Sequence, residues 1–474
     1  MRCLWIKKVT VTFLDIFDGN GYSAVMRAQI RPHTFSGTVR IPASKSHTIR
    51  QLLIASLAGG ASEIIAPLDS LDTQSCAAAC RVFGATITER YADDKLVAYT
   101  VQGNNGFQDG GKGDCHRFIN VGNSGTTLYF AMAAAGLSNE PFEFTGDEQI
   151  QRRSAEPLLE ALSGLGIRAE SVNGNGCAPI VIQGPWKGGK VSLPCPTSQY
   201  LSAILLAAPL APAGVITEIA IPLLNERPYI EMTLSYLNAQ GIPWEAGHAG
   251  GKAGDFSRFV IPGGASWKPF SRSVPGDFSS AAFPACAAAI SGGMVTLLGL
   301  DPNDLQGDKF FLEMLAGMGC TITWEKIPGM ADEYRLTVSR SGALRGGSFN
   351  LNATPDLLPA AAVTAAFAQG DTALVNVAHA RIKETDRIAV MAAELAKLGV
   401  RCTELPDGLI VHGGEATGKA AISGGCIDGH GDHRIVMAFA AAALAAQAPI
   451  AIDGAECAAV TYPGFLDLLQ AEYV

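Results

Sequence analysis

The sequence predicts a mixed α/β protein of two domains, each built from three repeated units. Its 474 residues exceed what one ordinary hydrophobic core holds, so we expect at least two domains. A polar turn followed by an alanine-rich helix recurs six times, and the turns lie near Ser44, Asn123, Thr197, Asp277, Asp356 and Asp432. Successive turns are 79, 74, 80, 79 and 76 residues apart, and this regular spacing indicates a structural repeat.

The two helices predicted in each unit differ in character. The first, as in "TSQYLSAILLAAPL" (197–210), is apolar on nearly every side, so we expect it to be buried. In the first five units a second, amphipathic helix ends at a glycine before a strand, as in "AEPLLEALSGLGIRAE" (155–170). Three buried helices with sheets outside them would form one domain, with the polar turns at one end. Six units therefore predict two domains whose turns face each other across a hinge and form a ligand cleft.

Composition and charge narrow the classes of function. Hydrophobic residues make up 48% and charged residues 17% of the chain, values that exclude bulk disorder. A net charge of −9 argues against a general nucleic-acid binder. No apolar run reaches the ~20 residues of a membrane helix, and the first residues lack the features of a signal peptide. The eleven cysteines form no C-x-x-C pair, so we expect reduced thiols in a cytoplasmic protein.

The first turn, "IPASKSHTIR" (41–50), places cations at a helix start. Unpaired N–H groups at a helix N-terminus attract anions, and Lys45 and Arg50 add positive charge beside Ser46. The same residues, taken alone, also fit a capped helix start with surface charges. This stretch is therefore a candidate anion site whose meaning depends on the other turns.

Other turns and a charged segment carry complementary chemistry. Small residues in "GNSGT" (122–126) let the backbone approach a ligand closely, and "GDHR" (431–434) adds an acid, a histidine and an arginine. The segment "RIKETDR" (381–387) sets acids beside several cations at a helix start. Such a segment can be a solvated face, or it can bind an anion and present one carboxyl for proton transfer. Together these features indicate a small substrate with more than one acidic group.

A metal site is the alternative interpretation of "DGHGDHR" (428–434). Its candidate ligands are Asp428, His430, Asp432 and His433. Their spacing is irregular for one helix face, and no further ligand cluster is evident, so an anion site is favoured over a metal.

The motifs occur in an order that resembles the EPSP synthase family. The matching strings are "SKSHTIR", "GNSGT", "TSQYLSAILLAAPL", "RPYIEMTL", "PD" at 355–356, "KETDR" and "GDHR". Each string is weak alone, but the ordered set is specific. The resemblance covers almost the whole chain from about Gln29 onward.

This resemblance implies a particular form of the α/β fold. Family members have two domains of three βαβαββ units with buried helices, an inside-out α/β barrel, and the domains close over substrates across a hinge cleft. The implied N-terminal domain is 44–273, and the discontinuous C-terminal domain joins 26–43 to 274–474. Residues 1–25 match nothing in the family, so we expect an N-terminal extension or a misplaced start, with Met26 the alternative first residue.

The resemblance also implies a reaction and its partners. Family enzymes transfer the enolpyruvyl group of phosphoenolpyruvate to the 5-hydroxyl of shikimate 3-phosphate and release phosphate, without a metal or organic cofactor. The expected partners are these two small molecules, with no nucleic acid and no membrane, and the expected state is a monomer. Because both substrates are multiply anionic, a cationic cleft is needed to bring them together.

Matching positions imply roles for individual residues. Shikimate 3-phosphate would be held by Lys45, Ser46, Arg50, Thr197, Ser198, Gln199, Tyr229, Asp356 and Lys383. Phosphoenolpyruvate would be held by Lys45, Gly125, Arg153, Gln199, Arg387 and Arg434. The catalytic set would be Asp356 and Glu384 for proton transfer, and Lys45 and His433 for stabilising charge. We expect the first turn to be the main anchor of the phosphate and ring hydroxyls. Glu384 lies amid cations, so it would act as an acid only if cleft closure desolvates it.

Several positions depart from the family pattern. The usual residue is replaced at Val460 (lysine), Tyr129 (arginine), Gln151 and Ser154 (arginine and proline), Glu226 (serine) and His379 (asparagine or glutamate). Two missing cations and one added acid would weaken the binding of two anions. Each lost charged contact costs on the order of 1.5–3 kcal/mol.

Other functions remain open beside the transferase. A divergent paralogue that binds a shikimate-like ligand with weak or no catalysis is favoured by Val460, Tyr129 and Glu226. A transferase acting on another hydroxyl, such as that of UDP-N-acetylglucosamine, is opposed by "TSQ", "KETDR" and "GDHR". A nucleic-acid role, which a related repeat fold serves in RNA phosphate cyclases, is disfavoured by the net charge of −9.

Overall fold

The computed structural model describes residues 26–107, 117–247, 254–328, 333–414 and 422–473. The predicted N-terminal extension, 1–25, lies outside these ranges. Its α-helices are α1 Lys45–Leu57, α2 Leu71–Val82, α3 Gly125–Ala135, α4 Glu156–Gly164, α5 Ser198–Ala207, α6 Arg227–Gln240, α7 Phe278–Ser291, α8 Phe310–Gly317, α9 Leu358–Ala366, α10 Arg387–Lys397, α11 His433–Ala443 and α12 Phe465–Leu468. Its strands are β1 Arg27–Ile30, β2 Gly37–Arg40, β3 Ala61–Ile65, β4 Thr86–Ala92, β5 Lys95–Gln102, β6 Arg117–Asn120, β7 Phe142–Thr145, β8 Arg168–Ser171, β9 Ile180–Gln183, β10 Gly189–Ser192, β11 Ile216–Ala220, β12 Glu245–Ala246, β13 Arg258–Pro262, β14 Ser271–Ser273, β15 Met294–Leu298, β16 Cys320–Lys326, β17 Tyr334–Arg340, β18 Ser348–Asn350, β19 Asp371–Val375, β20 Arg401–Leu405, β21 Gly408–His412, β22 Gly425–Asp428, β23 Ile450–Asp453 and β24 Glu472–Tyr473.

The described strands form six four-stranded sheets with one common topology. In the sheet ordered β6-β7-β9-β8, β6 pairs in parallel with β7, and β9 pairs antiparallel with both β7 and β8. The parallel pair requires a crossover, and α3 supplies it. The sheets β10-β11-β13-β12 and β18-β19-β21-β20 repeat this order. The predicted repeat of mixed α/β units is therefore confirmed, and each complete unit is βαβαββ.

Three sheets are completed by strands from distant parts of the chain. Strand β2 precedes α1 but pairs in parallel with β15, and β14 precedes α7 but pairs in parallel with β3. The chain start supplies β1, which lies antiparallel to both β23 and β24. The backbone thus crosses between two groups of three sheets after Arg40 and again after Ser273. A hinge motion would have to act at these two crossings.

Two separate hydrophobic cores accompany the two groups of sheets. One core contains buried residues between Ile49 and Val274, and we call this part, 45–273, the first half. The other joins buried residues from Ala28 to Ile41 with those from Phe278 to Leu469, and we call this part, 26–40 with 278–473, the second half. The predicted domain limits stay a prediction, and the two cores give them a physical basis.

Alanine-rich helices occupy the centre of each core, as predicted. In α3 every residue but Thr126 is buried, and α7 is buried from Phe278 to Ile290. Small alanine side chains let helices approach closely, so α3 contacts α1 and α5, while α7, α9 and α11 contact one another. The larger side chains of these helices each contribute about 1.5–3 kcal/mol when fully buried. Packing of the core therefore fixes where each helix, and the polar turn at its start, lies.

Candidate active site

A cavity of about 660 Å³ lies between the two halves, and the starts of several buried helices form its wall. This volume is typical of a site for a small molecule. The predicted site residues that line it are Lys45, Ser46, Arg50, Arg153, Thr197, Ser198, Gln199, Tyr229, Asp356, Lys383, Glu384 and Arg434. The other three, Gly125, Arg387 and His433, are not among its lining residues. A Cβ at Gly125 would lie 2.8 Å from Arg153 Nη1, so the glycine allows this arginine to rest against the start of α3.

Lys45, in the first turn, is held by an acid from the next helix of its unit. Its Nζ lies 3.0 Å from Asp72 Oδ2, and the lysine side chain is 17% exposed whereas that of Asp72 is 7% exposed. Asp72 occupies the first turn of α2, a position that the sequence analysis did not single out. The ion pair holds the Lys45 ammonium at the cavity wall, where an anionic ligand can reach it.

Arg50, in contrast, is already bonded within the protein. Its Nε donates to Thr233 Oγ1 at 3.0 Å, its Nη1 to the Ser46 carbonyl at 3.0 Å, and its Nη2 to the Tyr229 carbonyl at 3.2 Å. Burial lowers the pKa of its guanidinium to about 10. The expectation that the first turn is the main phosphate anchor stays a prediction, and Arg50 would have to release a partner to serve it.

The start of α5 forms a cluster of anion-binding donors. The side chain of Thr197 accepts a hydrogen bond from Gln199 N and so caps the helix. Glu226 Oε2 accepts hydrogen bonds from Ser198 N at 2.9 Å, Ser198 Oγ at 2.7 Å and Thr197 Oγ1 at 3.2 Å. Lys383, from the second half, donates to Glu226 Oε1. The acid that departs from the family pattern thus occupies the donors expected to hold shikimate 3-phosphate.

Arg387 joins three carboxylates of the second half. It is fully buried, and it donates to Asp432 Oδ2 at 2.7 Å, Asp356 Oδ1 at 2.7 Å and Glu384 Oε2 at 2.5 Å. Arg434 Nη2 donates to Asp356 Oδ2 at 2.8 Å. Side chains far apart in the sequence, from the starts of α9, α10 and α11, therefore share one buried ion network.

Arg153 extends this network across the cleft from the first half. Its Nη2 lies 3.2 Å from Glu384 Oε1, and its side chain is only 12% exposed. This contact is an ion pair only, since neither Nε nor Nη2 makes an aligned hydrogen bond within the described residues. A buried guanidinium with unused donors at a cavity is a binding position for an anion.

Charges in the network fix the protonation of its acids and of the neighbouring histidine. Burial alone would raise the pKa of Glu384, but Arg387 and Arg153 outweigh it and hold that pKa well below its usual range. At Asp356, burial would likewise raise the pKa of the carboxyl, but the charges of Arg434 and Lys383 keep that pKa low. Burial and the charge of Arg434 lower the pKa of His433 well below its usual value. Both acids are therefore ionised and the imidazole is neutral.

Two departures from the family pattern have identifiable partners. Tyr129 is buried with its ring edge against Tyr200, 4.9 Å between centroids, and both hydroxyls donate to the Ser154 carbonyl, at 3.4 and 2.6 Å. Val460 is half-buried at the end of a 3₁₀ helix, and the next residue, Thr461, lines the cavity. The tyrosine pair holds the backbone beside Arg153, while Val460 supplies no cation to the cavity.

Asp308 is a buried acid at the cleft that the sequence analysis missed. Its Oδ2 accepts hydrogen bonds from Tyr229 Oη at 3.3 Å and from Ser279 Oγ. Burial and then repulsion from Asp356 raise the pKa of Asp308 to about 7. In the sequence "LQGDKF" it resembles an ordinary acid at a helix start, so only the packing of the two halves reveals its position.

Two of the candidate metal ligands in residues 428–434 are paired with other side chains. Asp432 binds Arg387, and His430 Nε2 lies 2.7 Å from Glu394 Oε1. In the described part of the chain, no group of three or more histidine, cysteine or acidic side chains is arranged to hold a metal ion. Nor is any helix of these residues long and apolar enough to cross a membrane.

The fold and site define a class of two-lobed α/β proteins in which cationic helix starts of both lobes surround a cavity suited to a small anion. The family model of EPSP synthase (3-phosphoshikimate 1-carboxyvinyltransferase) matches residues 30–469, and the chain belongs to this family.

Individual relatives agree with this assignment. The 3-phosphoshikimate 1-carboxyvinyltransferase of Acetivibrio thermocellus is 44% identical over 445 residues, covering 94% of this chain and 98% of that protein. The enzyme of the same name from Ruminiclostridium cellulolyticum is 42% identical, with the same coverage. The structure of EPSP synthase from Acinetobacter baumannii superimposes with a TM-score of 0.76 at 27% identity, covering 95% of this chain and all of that one. The predicted fold class is confirmed.

Proposed function

We propose that this protein transfers the enolpyruvyl group of phosphoenolpyruvate to the 5-hydroxyl of shikimate 3-phosphate and releases phosphate. The observation that carries the proposal is the family match, which runs from residue 30 to residue 469. Relatives named for this activity align with 94% of the chain. The cavity between the halves supports it, because cations of both halves converge there.

Phosphoenolpyruvate is proposed to bind among the three arginines of the network. Arg153 has unused donors, Arg434 lines the cavity, and Arg387 lies directly behind its carboxylate partners. Lys45, Gly125 and Gln199 complete this set, since the glycine lets Arg153 lie against the start of α3. The phosphate and carboxylate of the substrate would replace protein carboxylates as partners of these cations.

Shikimate 3-phosphate is proposed to bind on the side of the cavity formed by α1, α5 and α6. The residues assigned to it are Lys45, Ser46, Arg50, Thr197, Ser198, Gln199, Tyr229, Asp356 and Lys383. The N–H and hydroxyl donors at Ser198 suit a phosphate, because a helix N-terminus favours negative charge. With both anions enclosed, the 5-hydroxyl and the enol carbon are held together by the cleft.

The proposed chemistry is addition followed by elimination. In the addition, C3 of phosphoenolpyruvate gains a proton, the 5-oxygen forms a bond to C2, and the hydroxyl proton is removed. In the elimination, the new methyl group loses a proton, the C2–O bond to phosphate breaks, and inorganic phosphate leaves. Asp356 and Glu384 are the proposed proton carriers, with Lys45 and His433 beside the developing charge. A neutral His433 would act there as a hydrogen-bond donor.

Substrate binding would itself prepare Glu384 to act as an acid. In this network the carboxylate is ionised because Arg387 and Arg153 hold it. An incoming anion competes for the same two guanidinium groups and weakens their hold on Glu384. Burial then dominates and raises the pKa of the carboxyl. Proton transfer is in this way linked to the presence of phosphoenolpyruvate.

A non-catalytic protein that binds a shikimate-like ligand is the second candidate. It is favoured by Glu226, which fills expected phosphate donors, and by Val460, which supplies no cation. Phosphate release in the presence of shikimate 3-phosphate and phosphoenolpyruvate separates the two candidates. We expect release that needs both substrates and does not occur when UDP-N-acetylglucosamine replaces shikimate 3-phosphate. No release at millimolar substrates, with shikimate 3-phosphate still bound, would favour the binding protein.

The proposal extends to a monomer in the cytoplasm that works without a metal or organic cofactor. The described cysteines, nine in number, are free, which suits a reducing compartment. The addition and elimination steps need only proton transfer and charge stabilisation, both of which side chains can supply. Activity that survives exhaustive treatment with a chelator is the expected result.

A further inference from the structure

Glu226 fills an anion site with its own carboxylate. Oε2 accepts hydrogen bonds from one backbone N–H and two hydroxyls at the start of α5, and Oε1 accepts from Lys383 Nζ. The residue is 3% exposed, so these bonds are shielded from water. A helix N-terminus, two hydroxyls and an ammonium form the kind of environment that binds a phosphate oxygen. The carboxylate therefore acts as an internal substitute for a bound anion.

The backbone of Glu226 is held in a conformation that non-glycine residues rarely adopt. Its φ is 56° and its ψ is 38°, which is the left-handed helical region. Such a conformation persists where the surrounding contacts enforce it. Here Glu226 N donates to the Asn352 carbonyl at 3.2 Å, and Asn352 Nδ2 donates to Asn225 Oδ1 at 2.8 Å. These contacts hold the strained turn in place.

The two hydrogen bonds with Asn352 and the ion pair with Lys383 all cross from the first half to the second. Glu226 and Asn225 belong to the first half, whereas Lys383 and Asn352 belong to the second. The ion pair is buried, with side chains 14% exposed for Lys383 and 4% for Glu226. Burial raises the pKa of Glu226, but the charges of Lys383 and His379 outweigh it and keep that pKa low. The carboxylate thus links the halves as an ion.

We propose that Glu226 is an internal competitor for the phosphate of the acceptor substrate and holds the cleft closed until that phosphate displaces it. This inference rests on the proposed function, in which Thr197, Ser198 and Lys383 hold shikimate 3-phosphate. The same donors cannot bind two anions at once, because like charges a few ångströms apart repel strongly. The phosphate binds only after the carboxylate leaves, and Lys383 then pairs with the phosphate.

The affinity for shikimate 3-phosphate tests this competition directly. Calorimetric titration would compare the wild type with Glu226→Ser, which removes the acid, and Glu226→Gln, which keeps its size but not its charge. Loss of one competing charged contact predicts a Kd at least about tenfold lower for Glu226→Ser, with Glu226→Gln between it and the wild type. Glu231→Gln is the matched control, since Glu231 lies on the same helix, pairs with Arg227 and does not line the cavity. A Kd that is unchanged or higher in both Glu226 variants would overturn the proposal.

The closing role has its own readout in the shape of the ligand-free protein. Small-angle X-ray scattering should give a larger radius of gyration for Glu226→Ser than for the wild type, and saturating shikimate 3-phosphate should remove the difference. Equal radii without ligand would overturn this role.

Failure of the proposed function would be recognised separately. It would appear as a wild type that releases no phosphate with both substrates and does not bind shikimate 3-phosphate. Inorganic phosphate would then serve as the probe of Glu226. We expect it to raise the Tm of Glu226→Ser more than that of the wild type, and equal shifts would refute the competition.

Discussion

Arg153 Nη2 lies 3.2 Å from Glu384 Oε1 across the cleft, with the arginine on the first half and the glutamate on the second. The arginine keeps the glutamate ionised, and the glutamate neutralises an arginine that has buried donors to spare. Any anion that binds Arg153 therefore changes the proton affinity of Glu384. In the proposed reaction, this pair would couple the binding of phosphoenolpyruvate to proton transfer.

Replacing Arg153 by alanine should weaken the binding of phosphoenolpyruvate. The variant loses a buried guanidinium with unused donors, so we expect the KM for phosphoenolpyruvate to rise roughly 10- to 100-fold. The KM for shikimate 3-phosphate should change far less. Steady-state kinetics with each substrate varied in turn would measure both, and Arg168→Ala, an exposed arginine paired with Glu170, is the control. An unchanged KM for phosphoenolpyruvate would exclude Arg153 from its site.

Glu384→Gln should reduce turnover without abolishing binding of the acceptor. Loss of a proton carrier typically lowers kcat by about 10²- to 10⁴-fold. Shikimate 3-phosphate should bind with a similar Kd in calorimetry, because Glu384 is not among the residues proposed to hold it. Glu313→Gln, an exposed acid on α8, should leave kcat unchanged. A Glu384→Gln enzyme with the kcat of the wild type would remove this residue from the proton-transfer steps.

Asp308 should make the stability of the protein depend on pH. Its pKa is raised to about 7, so the folded state binds the proton more tightly than the unfolded state. The cost of the buried charge therefore grows as pH rises from about 4, the unfolded pKa, and is complete above pH 7. We expect Asp308→Asn to gain roughly 2–3 kcal/mol relative to the wild type between pH 5 and pH 8. Urea unfolding of both proteins at these two pH values measures the gain, and a difference that stays constant with pH would contradict it.

Val460→Lys should restore a cation to the cavity. A lysine next to Thr461 would reach the side of the cavity proposed for phosphoenolpyruvate and lower its Kd by about tenfold. Ala459→Lys adds the same charge one residue away at an exposed position, and it should have little effect. If both variants bind phosphoenolpyruvate as the wild type does, another residue already fills the role of the missing lysine.

Much of the fold could be predicted because the repeat is visible in the sequence. Each buried helix is apolar on nearly every side and follows a polar turn, so their near-equal spacing indicates equivalent units. The exchange of β2 and β14 between the halves is harder to predict. Both strands are short, and each lies directly before a helix but pairs in the sheet of another unit. Composition and spacing do not indicate that pairing, and only the family resemblance placed 26–43 with the C-terminal domain.

The candidate site was predictable residue by residue but not as a network. Arg387 and its three carboxylate partners all stand in recognisable motifs, whereas Lys45 stands in one and its partner does not. Asp72 lies in an ordinary helix start, and Asp308 has no distinguishing neighbour in the sequence. Glu226 could be recognised as an unusual acid, whereas its position on the donors of α5 depends on a left-handed turn that sequence does not specify.

The transfer of carbon from one substrate to the other tests the central claim most directly. Phosphoenolpyruvate labelled with ¹³C at C2 would be mixed with shikimate 3-phosphate and the purified protein, and the label followed by NMR. The account predicts that the label moves into an enol ether on the 5-oxygen while an equal amount of inorganic phosphate appears. Label that stays in phosphoenolpyruvate, or that appears in pyruvate with no enol ether formed, would contradict it.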